Sequence, residues 1–199
     1  DSPGKAITLS GGSLERFVDV IPSHWHDTKE YRESRLKMHR EIFVLDSKIN
    51  IRVNNKPFLH MALVDAKCNS VRGSLRKVVR LLKNLKYDAS PEVQFTSYDI
   101  VAVCYHMSVE ELSIPFGLDL MLLDRLQKHL DFIARNDSYR NALSVPDRSR
   151  KIFDKLEKLN GFIRLKQELE TLIRDLAREL NPLADYISPD KILNTPVIL

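Results

Sequence analysis

The sequence predicts an α+β fold, a short antiparallel strand region followed by a mostly helical lobe. Three observations carry this. Two hairpin patterns fall within residues 1–56. From Pro57 onward the apolar spacing changes from period two to period 3.6. Near the C-terminus one stretch, 159–180, keeps Phe162, Leu165, Leu169, Leu172, Ile173, Leu176 and Leu180 on a single helical face. The expected division is therefore a partial sheet over 1–56 and a helical lobe over 57–199.

The elements follow in order. Lys5-Ala6-Ile7-Thr8-Leu9 and Glu15-Arg16-Phe17-Val18-Asp19-Val20-Ile21 read as strands joined by Ser10-Gly11-Gly12-Ser13. Pro22 ends the second, because proline has no N–H for a ladder. Residues 28–40 are polar and read as a short helix or an irregular excursion. Glu41–Leu45 and Ile49–Val53 form a second hairpin turning at Asp46-Ser47-Lys48. Helices are expected near 58–69, 73–87, 97–107, 117–135 and 159–180. Thr96 or Ser97 caps the third of these, with Asp99 as an acid in its first turn. Pro115-Phe116-Gly117 marks a break, and Val145-Pro146-Asp147-Arg148-Ser149 a turn.

Composition narrows the class. The chain has 199 residues, 43% hydrophobic and 29% charged, with net charge +4. That is ordinary for a globular domain and compatible with phosphate-bearing ligands. Cys68 and Cys104 stand alone, outside any CxxC or Cys/His spacing, so a structural zinc site is not expected. Isolated cysteines fit a reducing compartment, and no apolar run reaches the length of a membrane span. The expectation is a cytoplasmic protein with no membrane partner. The first residue is Asp rather than Met, and the strands are too few to make a covered sheet. Both raise the expectation that an N-terminal segment of the same protein completes that sheet.

Two features carry chemistry. In Gly73–Lys86 an apolar stripe of Leu75, Val78, Val79, Leu82 and Leu85 runs beside a basic stripe of Arg76, Arg80 and Lys83. Stacked cations repel unless an anion sits between them, so the stripe suits a triphosphate or a nucleic-acid backbone; the alternative is a solvated helix face. Asp19 lies in a strand of large apolar residues, where a buried carboxylate needs a partner or a metal. The alternatives are an outward-facing Asp or a partner for Arg16. His24-Trp25-His26-Asp27 reads as a loop whose Trp25 packs at the lobe interface, with a metal pair as the alternative. Lone Tyr98, Tyr105 and Tyr139 are candidates for base stacking or for the core. His60, His106 and His129 read as packing or capping residues.

Taken in order, Phe17-Val18-Asp19-Val20-Ile21-Pro22, Pro57-Phe58-Leu59-His60, the basic helix ending Leu81-Leu82-Lys83-Asn84-Leu85-Lys86, and Thr96-Ser97-Tyr98-Asp99 resemble nucleotidyltransferases of the DNA-polymerase-β-like superfamily. The branch most like it holds the oligoadenylate synthetases and the bacterial cyclic-oligonucleotide synthases of anti-phage defence. The resemblance spans roughly 5–107. It implies a remnant of a polymerase-β-like mixed sheet, with Asp19 as the third metal-site aspartate. It implies Lys83 and Ser97 as nucleotide contacts, NTP substrates, and two Mg²⁺ (or Mn²⁺) as cofactors. Arg76 and Arg80 join Lys83 as candidate substrate-binding residues on the stripe. The family's opening Gly-Ser and Asp-x-Asp are absent; Gly12-Ser13 lies in a hairpin with no Asp-x-Asp after it. By this resemblance the intact protein is an enzyme and residues 1–199 alone are inactive. The competing readings are a non-catalytic RNA- or nucleotide-binding module, a toxin-type transferase acting on tRNA or protein, and a purely structural helical domain.

Overall fold

The structure, a computed structural model, describes residues 6–9, 18–181, 183–184 and 187–195. The chain divides into two compact units, Asp1–Leu63 and Val64–Leu199.

In the first unit, β1 (Ile7–Leu9) pairs antiparallel with β2 (Val18–Val20), placing Thr8 opposite Asp19. The expected turn at 10–13 lies outside the described residues, as does Arg16. A second sheet holds β3 (Ser23–Asp27), β4 (Arg40–Asp46) and β5 (Ile51–Asn55), antiparallel with β4 in the centre. The β4–β5 hairpin is as expected. β3 is a correction, since residues 23–27 form a strand and not a loop. Alternation explains it. His24 and His26 lie on one face against the Phe43 ring, at 5.4 and 4.9 Å between centroids. Trp25 lies on the other, stacked on Phe58 and covered by the Arg40 guanidinium 4.1 Å from its ring. A polar-looking run thus obeys strand period through its rings. Between β3 and β4 stand α1 (Lys29–Ser34), capped by the Thr28 hydroxyl, and a 3₁₀ turn at Lys37–His39.

The second unit is helical. α2 (Pro57–Ser70) spans the division, and α3 (Ser74–Asp88) and α4 (Ser97–Tyr105) follow. Then come α5 (Val109–Leu112), α6 (Met121–Arg135), α7 (Asp137–Ala142), α8 (Leu156–Leu180) and α9 (Pro189–Leu193). The five longer helices match the periodicity within a few residues. The short α5, α7 and α9 have too few turns to show one. The α6 start moves to 121 because Gly117, at φ +81°, still belongs to the preceding turn. Ser144 and Lys151 bridge around the expected turn at 145–149.

Leu75, Val78 and Leu82 of α3, Ile100 and Val103 of α4, Leu126 and Leu130 of α6, and Phe162, Leu165 and Leu169 of α8 are all buried in one core. Two contacts fix how α8 seats. Phe162 packs against Phe95 and Phe153. Gly161 lies so close to the chain before α4 that a Cβ there would stand 2.3 Å from the Gln94 carbonyl oxygen. No described helix is long and apolar enough to cross a membrane.

Candidate functional site

Asp19 stands on β2 and is exposed, the outward-facing one of the alternatives its strand offered. Its Oδ1 accepts a hydrogen bond from the Thr8 hydroxyl directly opposite, at 2.7 Å. A carboxylate holding one hydroxyl keeps lone pairs for a further ligand. Among the described residues, however, no three His, Cys, Asp or Glu side chains gather closely enough to hold a metal ion. His24 and His26 contact Phe43 instead.

The other four candidates lie in the helical unit. α3 has the two faces its sequence describes, with Leu75, Val78 and Leu82 sealed and Arg76, Lys77 and Arg80 exposed. Arg76 is ion-paired with Asp65 of α2 at 2.7 Å, so its charge is already answered. Arg80 and Lys83 form no hydrogen bond or ion pair with any described residue. Lys83 is half-buried and faces α4: burial pushes the Cys104 thiol up to about 12, and the Lys83 ammonium nearby opposes that shift.

Ser97 opens α4, but the cap is Thr96, whose hydroxyl accepts from the Asp99 N–H at 3.1 Å. The Ser97 hydroxyl is left with no partner among the described residues. Ser97 and Cys104 mark opposite ends of α4, about 10 Å apart along its axis. Lys83 and Ser97 therefore lie on the neighbouring helices α3 and α4.

Sequence reasoning missed what holds α4 at both ends. At the C-terminal end, the Lys67 ammonium donates to the Tyr105 and Met107 carbonyls, and burial lowers its pKa. At the N-terminal end Asp99 is fully buried. Its two oxygens face Arg150 Nη2 at 2.6 Å and Lys158 Nζ at 3.5 Å, and the Thr96 hydroxyl donates to Oδ2. The neighbouring Tyr98 hydroxyl donates to Asp147 at 3.0 Å, and burial and Asp147 raise its pKa strongly. Only the acid in the first turn was legible, because its cations stand far downstream. Tyr139 packs on Phe132, and buried His129 donates from Nε2 to the Val103 carbonyl.

No family model matches the sequence. Among curated proteins, the chain is 33% identical over 195 residues to a cyclic dinucleotide synthase CdnE from Yersinia aleksiciae, covering 96% of this chain and 52% of that one. Two solved structures share the fold. One is the STING-associated CdnE c-di-GMP synthase from Capnocytophaga granulosa, with TM-score 0.74 and 26% identity over 89% of this chain and 57% of that one. The other is a STING-associated CdnE c-di-GMP synthase from Flavobacteriaceae sp., with TM-score 0.73 and 27% identity over 88% of this chain and 50% of that one. The chain spans about half the length of the relatives it matches. The likeness in sequence and in fold, running over nearly all of the chain, makes it a member of the CdnE-type branch of the bacterial cyclic-oligonucleotide synthase nucleotidyltransferases.

Proposed function

We propose that this chain is the nucleotide-gripping portion of a nucleotidyltransferase that joins NTPs into a cyclic dinucleotide. The observation that carries it is the unpaired Arg80–Lys83 face of α3, a helix sealed into the core on its other side. The kinship with CdnE synthases supports the same reading. In it, Lys83 and Arg80 neutralise the β- and γ-phosphates and the Ser97 hydroxyl donates to the same nucleotide from the start of α4. Charge-assisted contacts of this kind are about twice as strong as neutral ones. Arg76, tied to Asp65, contributes at most a weaker long-range field.

The transfer itself is an in-line attack of a ribose hydroxyl on an α-phosphate. Asp19 alone does not make a metal centre. In this proposal Mg²⁺ or Mn²⁺ would need Asp19 and two further carboxylates from outside residues 1–199; relatives about twice as long support that. A role in antiviral defence belongs to the same proposal, supported by the STING-associated neighbours. A second reading, an RNA- or nucleotide-binding module without catalysis, rests on the same unpaired Arg80–Lys83 face.

The test is incubation of the whole protein with labelled NTPs and Mg²⁺ or Mn²⁺, with products resolved by chromatography and mass spectrometry. The expected result is a phosphatase-resistant cyclic dinucleotide containing guanosine, since relatives are named c-di-GMP synthases. A linear 2′-5′ ladder would contradict the cyclic product. Saturable binding with no product from any NTP mixture would favour the binding module.

A further inference from the structure

We infer that Asp99, Arg150 and Lys158 act as a positioning clamp that sets the start of α4, and with it Ser97 and Tyr98, for the nucleotide. The inference rests on the function proposed above.

Three pieces of geometry converge on the start of α4. Asp99 has no exposed surface, and it is reached from two segments far away in sequence, by Arg150 at 2.6 Å and Lys158 at 3.5 Å. Lys158 is itself divided between Asp99 and Asp154, the latter at 2.7 Å. Next, the same Arg150 guanidinium lies over the Tyr98 ring, 5.3 Å from its centroid, while the Tyr98 hydroxyl donates to Asp147. Asp147 and Arg150 come from one turn, closed by the Ser149 N–H on Asp147 Oδ1 at 2.9 Å and by the Ser144–Lys151 bridge. That turn therefore grips residues 98 and 99 together. Finally, Lys158 lies in the first turn of α8, one turn before Gly161, which presses on the Gln94 backbone, so α8 also fixes the chain entering α4. Ser97, whose hydroxyl has no described partner, sits between a fixed residue 96 and fixed residues 98 and 99.

Buried ion pairs are weak stabilisers compared with an apolar core of equal volume. This one stands where a hydrogen-bonding group must be held in a fixed place, and binding energy depends on such preorganisation. The Arg150 contact with the Tyr98 face also ties the aromatic to the same frame. None of the three clamp residues needs to touch the nucleotide; they act through Ser97 and Tyr98.

The experiment is steady-state kinetics of the whole protein with GTP for Asp99→Asn and Arg150→Met, measured well below each variant's thermal midpoint. The expected result is a KM for GTP raised roughly tenfold with kcat held within about twofold. Arg150→Lys keeps the charge near Asp99 but loses the planar group over Tyr98, and should give an intermediate KM. An unchanged KM with kcat reduced in step with the folded fraction would overturn the clamp and leave a fold-holding ion pair. Should Asp99→Asn not fold, the Arg150 pair decides on the same readout, since Arg150 is one-third exposed. Failure of the wild type to bind or turn over GTP would instead remove the proposed function, and the clamp with it.

Discussion

Asp19 and Asp99 carry the same side chain into opposite surroundings. Asp19, flanked by Val18 and Val20, stands exposed on a two-stranded sheet, with the Thr8 hydroxyl its one partner among the described residues. Asp99, in what reads as an ordinary helix start, is sealed from solvent between two cations and a threonine hydroxyl. Chain neighbours report on strand character, but burial is decided by what the rest of the fold lays on top. In the helical unit α8 and the 147–150 turn cover the start of α4. Among the described residues β1 and β2 pair only with each other.

The contrast can be broken in order of expected effect. Asp99→Ala takes the carboxylate from Arg150 while Lys158 keeps Asp154, and removing one partner of a buried pair costs about 3–5 kcal/mol. Asp19→Ala should move stability by less than about 0.5 kcal/mol, as exposed substitutions do. Chemical denaturation of both variants checks the difference; equal losses would erase it. Gly161→Ala forces a Cβ against the Gln94 carbonyl, and overpacking of this kind costs about 1–3 kcal/mol. Thr96→Ala removes the α4 cap and should cost about 1 kcal/mol, read from the same denaturation curves.

A smaller effect is set by pH. Burial lowers the pKa values of His129 and His106 below their ordinary 6.5. The unfolded chain then takes up protons before the folded one does. Stability is full above pH 6.5 and falls as pH drops through that value toward the folded pKa values. Lowered carboxylates such as Glu41 act only further into acid, below about pH 4.5. The denaturation midpoint should therefore fall between pH 7 and pH 5, and fall less in His129→Asn. A flat profile would show that these rings are not held neutral by the fold.

Much of the fold was legible. The α3 stripe and the α8 face turn the residues their spacing selects to the core, with Val79, Leu85, Leu172 and Leu176 only partly buried and Leu180 out in solvent. β3 was not legible, because its alternation is written in His24, Trp25 and His26, whose rings pack as apolar groups while their polar atoms suggest a loop. Of the site, the cationic stripe was legible as a face, but not that Asp65 answers Arg76 while Arg80 and Lys83 stay unpaired. Nor did the sequence show that Thr96 takes the cap and leaves the Ser97 hydroxyl available. Such pairings join separate elements, and helical spacing describes only one element at a time.

In the proposed function the unpaired cations of α3 grip a nucleoside triphosphate. Titration of GTP against wild type and Lys83→Ala, followed calorimetrically at low and moderate salt, tests it most directly. Loss of a charge-assisted phosphate contact should weaken binding about 10- to 100-fold, with a smaller salt dependence and an unchanged thermal midpoint. Equal affinity and equal salt dependence in the two proteins would return the stripe to a solvated helix face and contradict the account.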